Sequence, residues 1–124
     1  MIDDFYTISN CQTDALNGEF EVELRPDCQV YKGHFPGKPV SPGVCSIQMI
    51  RECAEHVLDS RLHLRLIKQC RLTLLLSPAL TPHLTVVVAL LPDSGQDGQY
   101  TLDARIMHAG AVALLLKGTV EVCQ

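Results

Sequence analysis

Twelve residues, Gly33-His34-Phe35-Pro36-Gly37-Lys38-Pro39-Val40-Ser41-Pro42-Gly43-Val44, constrain this chain more than any other stretch. They hold three of its seven prolines and three of its eight glycines. A proline ring fixes φ, and glycine admits positive φ and close backbone approach, so a run rich in both is a stiff loop of defined shape. Directly after it, Cys45 to Asp59 contains neither residue and reads as a helix. Ser41 can serve as its N-cap, with Pro42 at the first helical position, where a missing N–H costs nothing. Ile47, Ile50, Ala54, Val57 and Leu58 recur at three- and four-residue spacing and predict one buried stripe. A stiff loop that carries a histidine into a helix N-terminus has the makings of a site.

The flanking sequence reads as strands. Glu19 to Leu24 alternates polar and apolar residues strictly, the pattern of a half-buried strand. The preceding Asn10 to Gly18 is polar and turn-rich and reads as a loop, and the state of Asp3 to Ile8 is left open. After the helix, His63 to Leu76 alternates in part, and Leu84 to Leu91 is rich in β-branched residues. Pro92 to Gly98 is the clearest turn. Gln99 to His108 and Ala111 to Val122 form a pair about Ala109-Gly110. Three or four consecutive strands after one helix predict an antiparallel meander packed on that helix, an α+β architecture in a single domain spanning residues 1–124.

Composition narrows the function classes. A net charge of −4 and the absence of Trp argue against a nucleic-acid partner, because neutralising phosphates requires a basic surface. The longest apolar runs, Val86 to Leu91 and Ala111 to Leu116, are far short of the ~20 residues that span a bilayer. The first residues lack the basic and apolar segments of a signal peptide, so a cytoplasmic location is expected. None of the six cysteines is spaced as C-x-x-C. Cys53 and His56 lie one helical turn apart without a second pair, a poor zinc site. The cysteines read as reduced, mostly buried thiols.

The run from Tyr31 to Val44 resembles the signature of the FabA/FabZ-type 3-hydroxyacyl-[acyl carrier protein] dehydratases, G-H-F-P-G-x-P-[VI]-x-P-G-V, and matches each of its fixed positions. Pro78 to Pro82 falls where that family has a proline-rich turn between strands, although the glycine-aspartate expected there is missing. The resemblance implies the hotdog fold, one long central helix wrapped by an antiparallel sheet. It also implies dimers that join two sheets edge to edge, with active sites at the interface.

By the same resemblance, His34 is the base that removes the C2 proton of an acyl thioester. The backbone N–H of Gly43 binds the thioester carbonyl, where a helix N-terminus favours developing negative charge. Phe35, Pro36, Gly37, Val40 and Val44 are the implied substrate-binding positions. The family places an acidic residue fourteen positions after the histidine to protonate the leaving hydroxyl. That position here is Gln48, which can hold a hydrogen bond but has no proton to exchange near neutral pH.

Three readings follow. Glu52, one helical turn beyond Gln48 and about 6 Å along the axis, replaces the acid. Alternatively, the site is a hotdog thioesterase in which Gly43 polarises the carbonyl and Gln48 or His34 positions a water. In the third reading, the chain is a silent subunit that pairs with a catalytic homologue. The implied partner is an acyl carrier protein or a coenzyme A thioester, with Lys32 and Lys38 as docking candidates and Arg61, Arg65, Lys68 and Arg71 as a second basic run. No metal or organic cofactor is implied. The chain is expected to form a homodimer or higher oligomer, or a heterodimer with a homologue.

Overall fold

A computed structural model describes residues 5–26, 43–93, 95 and 97–123. The elements run β1 (Tyr6–Asp14), β2 (Asn17–Leu24), α1 (Gly43–Leu58), β3 (Leu62–Leu72), β4 (His83–Pro92), β5 (Gln99–His108) and β6 (Ala111–Val122). The strands form one six-stranded sheet in the order β1-β2-β4-β5-β6-β3, and each pairing between neighbours is antiparallel. The bounds expected for the last two strands coincide with β5 and β6. Their joining turn is the expected Ala109-Gly110, in which both residues have positive φ. A two-residue hairpin loop with positive φ at both positions twists in the sense of the strands it connects.

One face of the sheet is apolar because the strands alternate. In β2 the buried residues are Phe20, Val22 and Leu24, and in β4 they are Leu84, Val86, Val88 and Leu90. Leu102, Ala104 and Ile106 of β5 and Leu114, Leu116 and Val120 of β6 extend the same core. The helix α1 packs onto it. Its 16 residues make a rod about 24 Å long at ~1.5 Å per residue, shorter than the long helix implied by the sequence resemblance.

Four expectations are corrected. Asn10 to Gly18 is not a loop: it completes β1, turns at Ala15-Leu16 and begins β2. The strand was hidden because β1 is an edge strand with almost every side chain exposed, so it carries no alternation. The helix stripe is Cys45, Met49 and Cys53 beside Ser46, Ile50 and Ala54, while Ile47, Val57 and Leu58 are only half-buried. Cysteine there acts as a small apolar residue. That role does not extend to Cys11, Cys70 and Cys123, which are exposed. Lastly, the strand expected over His63 to Leu76 is shorter and stands outside the meander, which has three of the three or four strands expected, β4, β5 and β6. The strand β3 ends at Leu72 and lies at the far edge, beside β6.

Candidate functional site

The helix start is where the glycine- and proline-rich run meets regular structure. Gly43 is the first residue of α1. Among the described residues, no heavy atom lies within 4 Å of the place where a Cβ on Gly43 would sit. The first amides of a helix have no intrahelical acceptor, so a helix N-terminus offers N–H donors and the positive end of the helix dipole to a ligand oxygen. Val44 beside it is 71% exposed, a large apolar side chain facing outward at the same place. His34, Phe35, Pro36, Gly37, Val40, Lys32 and Lys38 lie outside the described residues, as do the Ser41 cap and Pro42.

Five residues along the helix from Gly43, half-buried Gln48 meets Glu52. The two stand four apart on the helix and so share a face. The Gln48 Nε2 donates to Glu52 Oε2 at 3.5 Å, a long contact. Glu52 Oε1 accepts a 2.8 Å hydrogen bond from the hydroxyl of Tyr6, the first residue of β1. Burial, and then the bond to Glu52, hold the Tyr6 phenol well above the usual tyrosine range, so it stays protonated and donates. The next helix residue, buried Cys53, has its thiol pushed up to about 12 by desolvation, with further upward contributions from Glu52 and Cys11.

The expectation that Glu52 replaces the missing acid meets a physical objection. A general acid must carry a proton and point it at the leaving group. Glu52 instead accepts on both oxygens, one bond coming from Tyr6 and one from Gln48. Tyr6 itself was not singled out from the sequence. Its partner is 46 positions away, and a tyrosine in a segment without periodicity gives no signal.

One residue before Glu52, Arg51 Nη1 binds Glu55 Oε2 at 2.9 Å and the Leu62 carbonyl at 3.2 Å. Glu55 Oε2 also accepts the Leu62 N–H at 2.8 Å, which fixes the start of β3. An open cleft of about 530 Å³ lies between β1 and the second half of α1, lined in part by Tyr6, Ile8, Glu52 and His56. His56 is exposed on one side and stacks on Phe20 at 5.8 Å on the other. Among the described residues no three His, Cys, Asp or Glu side chains are grouped to hold a metal ion. No helix among them is long and apolar enough to cross a membrane.

Comparison with known proteins gives these features a family. The ApeI-like dehydratase family matches residues 10–108, most of the chain. No curated protein sequence matches. Among solved structures, the chain is similar to the dehydratase heterocomplex ApeI:P from Xenorhabdus doucetiae at 18% identity, covering 95% of this chain and 97% of that one, with a TM-score of 0.65. A protein from Pyrococcus horikoshii is similar at 12% identity over 98% of this chain and 85% of its own, TM-score 0.71. A mutant thioesterase from Pseudomonas aeruginosa is similar at 12% identity over 94% and 80%, TM-score 0.62. At such identities the structural likenesses speak for the hotdog fold. The assignment to a family rests on the sequence match: the chain belongs to the ApeI-like dehydratase family.

Proposed function

We propose that this chain acts on 3-hydroxyacyl thioesters of fatty-acid or related acyl-chain biosynthesis, as the base-bearing subunit of a dehydratase. The observation that carries the reading is the place of Gly43. The last glycine of the G-H-F-P-G-K-P-V-S-P-G-V run is also the first residue of α1. In this mechanism His34 takes the C2 proton, and the electron pair moves onto the thioester oxygen. That charge is stabilised by the Gly43 N–H and the helix dipole. Collapse of the enolate forms the C2–C3 double bond and expels the 3-hydroxyl, which leaves as water once protonated. Phe35, Pro36, Gly37, Val40 and Val44 line the acyl chain.

In a pair of identical chains the residue at the 3-hydroxyl is Gln48, which cannot supply that proton, and Glu52 is engaged as an acceptor. The acid therefore comes from a partner chain, a homologue with a carboxylate at the position equivalent to Gln48. The heterocomplex formed by the Xenorhabdus doucetiae dehydratase supports this pairing. The apolar side chains that edge strand β3 and the residues after it leave exposed, Leu66, Leu72 and Leu75 among them, suit such a contact. Lys32 and Lys38 would meet the acidic carrier protein or the phosphates of coenzyme A.

The test is one cuvette in which crotonyl and 3-hydroxybutyryl thioesters are followed by enoyl absorbance and by thiol release. The parent alone is expected to turn over slowly or not at all, and Gln48→Glu to raise the rate by roughly 10²-fold or more. His34→Ala should remove that gain. Thiol release without change in the enoyl signal would sink the dehydratase reading in favour of a thioesterase, the activity named for the Pseudomonas aeruginosa neighbour.

A further inference from the structure

The contacts of Glu52 bear on what Gln48 can recognise. An amide side chain has a donor end and an acceptor end, and a binding site differs in kind according to which end faces the ligand. An ionised carboxylate only accepts. The amide end turned toward Glu52 Oε2 is therefore the NH₂, as the 3.5 Å contact from Nε2 has it. The carbonyl oxygen of Gln48 then lies on the side away from Glu52. Along the helix Glu52 stands four residues after Gln48, and Gly43 stands five residues before it.

Glu52 could turn its carboxylate elsewhere if nothing held it. Tyr6 prevents this, because its 2.8 Å bond to Oε1 leaves Oε2 as the oxygen facing Gln48. The phenol is a dependable donor for that purpose, since burial keeps it protonated. It is also anchored: Tyr6 pairs with Leu24 across the β1–β2 ladder, and its ring meets Phe5 edge-on at 6.3 Å.

We propose that Tyr6, acting through Glu52, is a positioning residue that turns the Gln48 carbonyl oxygen toward the ligand, so that the site selects 3-hydroxyacyl over 3-oxoacyl thioesters. The inference rests on the thioester reading given above. A 3-hydroxyl donates its proton to the Gln48 oxygen. A 3-oxo group offers only lone pairs, which would face the lone pairs of that oxygen. A pocket built around one hydrogen-bonding sense rejects the ligand lacking it far more strongly than a pocket of matching shape alone. An amide free to flip would accept both.

The test measures affinity, without requiring turnover. Amide-linked, non-cleavable pantetheine analogues of 3-hydroxybutyrate and 3-oxobutyrate are titrated calorimetrically into the parent, Tyr6→Phe and Glu52→Met. The parent is expected to favour the hydroxy analogue by roughly tenfold or more. Both variants should lose most of that preference, chiefly through tighter binding of the oxo analogue, an outcome that general loosening would not produce. Equal affinity of the parent for both analogues, or an unchanged preference in both variants, overturns the proposal. Binding of neither analogue overturns the thioester reading itself. The orientation is then judged by the ¹⁵N resonance of the Gln48 side-chain amide. That signal should move in Tyr6→Phe and Glu52→Met, and constancy in both would overturn the clamp whatever the ligand.

Discussion

The two edges of the sheet are built to opposite specifications. Both β1 and β3 expose nearly every side chain. The sequence of β1, Tyr-Thr-Ile-Ser-Asn-Cys-Gln-Thr-Asp, is mostly polar. The sequence of β3, Leu-His-Leu-Arg-Leu-Ile-Lys-Gln-Cys-Arg-Leu, is mostly apolar and cationic. Each edge is also irregular. The ladder of β1 shifts register between Ile8 and Asn10, and that of β3 shifts twice, between Leu64 and Leu66 and between Ile67 and Gln69. Bulges and charges are common means of keeping an open edge from recruiting another strand. A polar edge can stay in water at little cost, whereas an apolar one exposes surface that only a partner would remove from it. The lesson is that exposure alone does not rank two surfaces; what is exposed does.

The most disruptive way to break this comparison is at the joint of β3 with β6. A Cβ on Gly118 would come within 2.1 Å of the Leu66 carbonyl oxygen, which is backbone and cannot rotate aside. Gly118→Ala is expected to cost about 3 kcal/mol or more, at the severe end of overpacking. Urea unfolding reads this directly.

Charge placed on the two edges should have unequal consequences. Leu66 and Leu75 are 53% and 61% exposed. Replacing both with lysine is expected to leave the monomer folded and to weaken association of the chain at least tenfold by sedimentation. Lysine at Thr7 on β1 should leave association unchanged. Equal effects at both edges would erase the distinction.

Between the edges, the helix carries its own pH signature. The Cys53 thiol is raised from an ordinary value of 9.0 to about 12 in the folded protein. The folded state therefore holds a proton that the unfolded chain releases. That contribution to stability is fully present below pH 9 and is lost as pH climbs toward 12. Cys53→Ala should show a shallower decline over that window in denaturant midpoints. Iodoacetamide should meanwhile label the exposed Cys11, Cys70 and Cys123 before the buried Cys45 and Cys53.

Turn chemistry gives a smaller effect. Ala109 sits at φ 52° in the β5–β6 hairpin, a conformation that asparagine tolerates better than alanine. Ala109→Asn should stabilise the protein by about 0.5 kcal/mol, read as a rise in thermal midpoint. The smallest effect is expected from Arg65→Ala. Its 2.8 Å pair with Glu121 is exposed, and although Arg65 and then Gln99 hold the Glu121 carboxyl below the usual range, solvent screening should leave the midpoint unmoved.

The sequence was most legible where one face of an element is buried. Alternation in Glu19 to Leu24 and Leu84 to Leu91 located two strands because Phe20, Val22, Val86 and Val88 need one covered side. The same rule failed at β1, whose side chains have no covered side, and at the helix, where Cys45 and Cys53 take places that apolar periodicity assigns to Ile or Leu. Of the candidate site, the places of two residues on the helix were legible. The motif run gave Gly43 and Gln48 their places at and beyond the helix start, which local spacing fixes. Tyr6 could not be read, since its contact with Glu52 exists only after the sheet has brought residues 46 apart together. The place of β3 at the far edge was likewise out of reach, being decided by which partners remain after β2 takes the edge of β4.

The neighbouring helix residues Arg51 and Glu52 reach opposite margins of the sheet. Glu52 is bonded to Tyr6 on β1, while Arg51, with Glu55, is bonded to Leu62 on β3. In mechanical terms α1 is a keyed shaft. Turning it by ten degrees would carry a side-chain tip ~5 Å from the axis through about 1 Å, enough to spoil bonds at both margins at once. Rolling of the helix is thus resisted from both margins. The helix that bears Gln48 is thereby tied to both edges of the sheet through two adjacent residues.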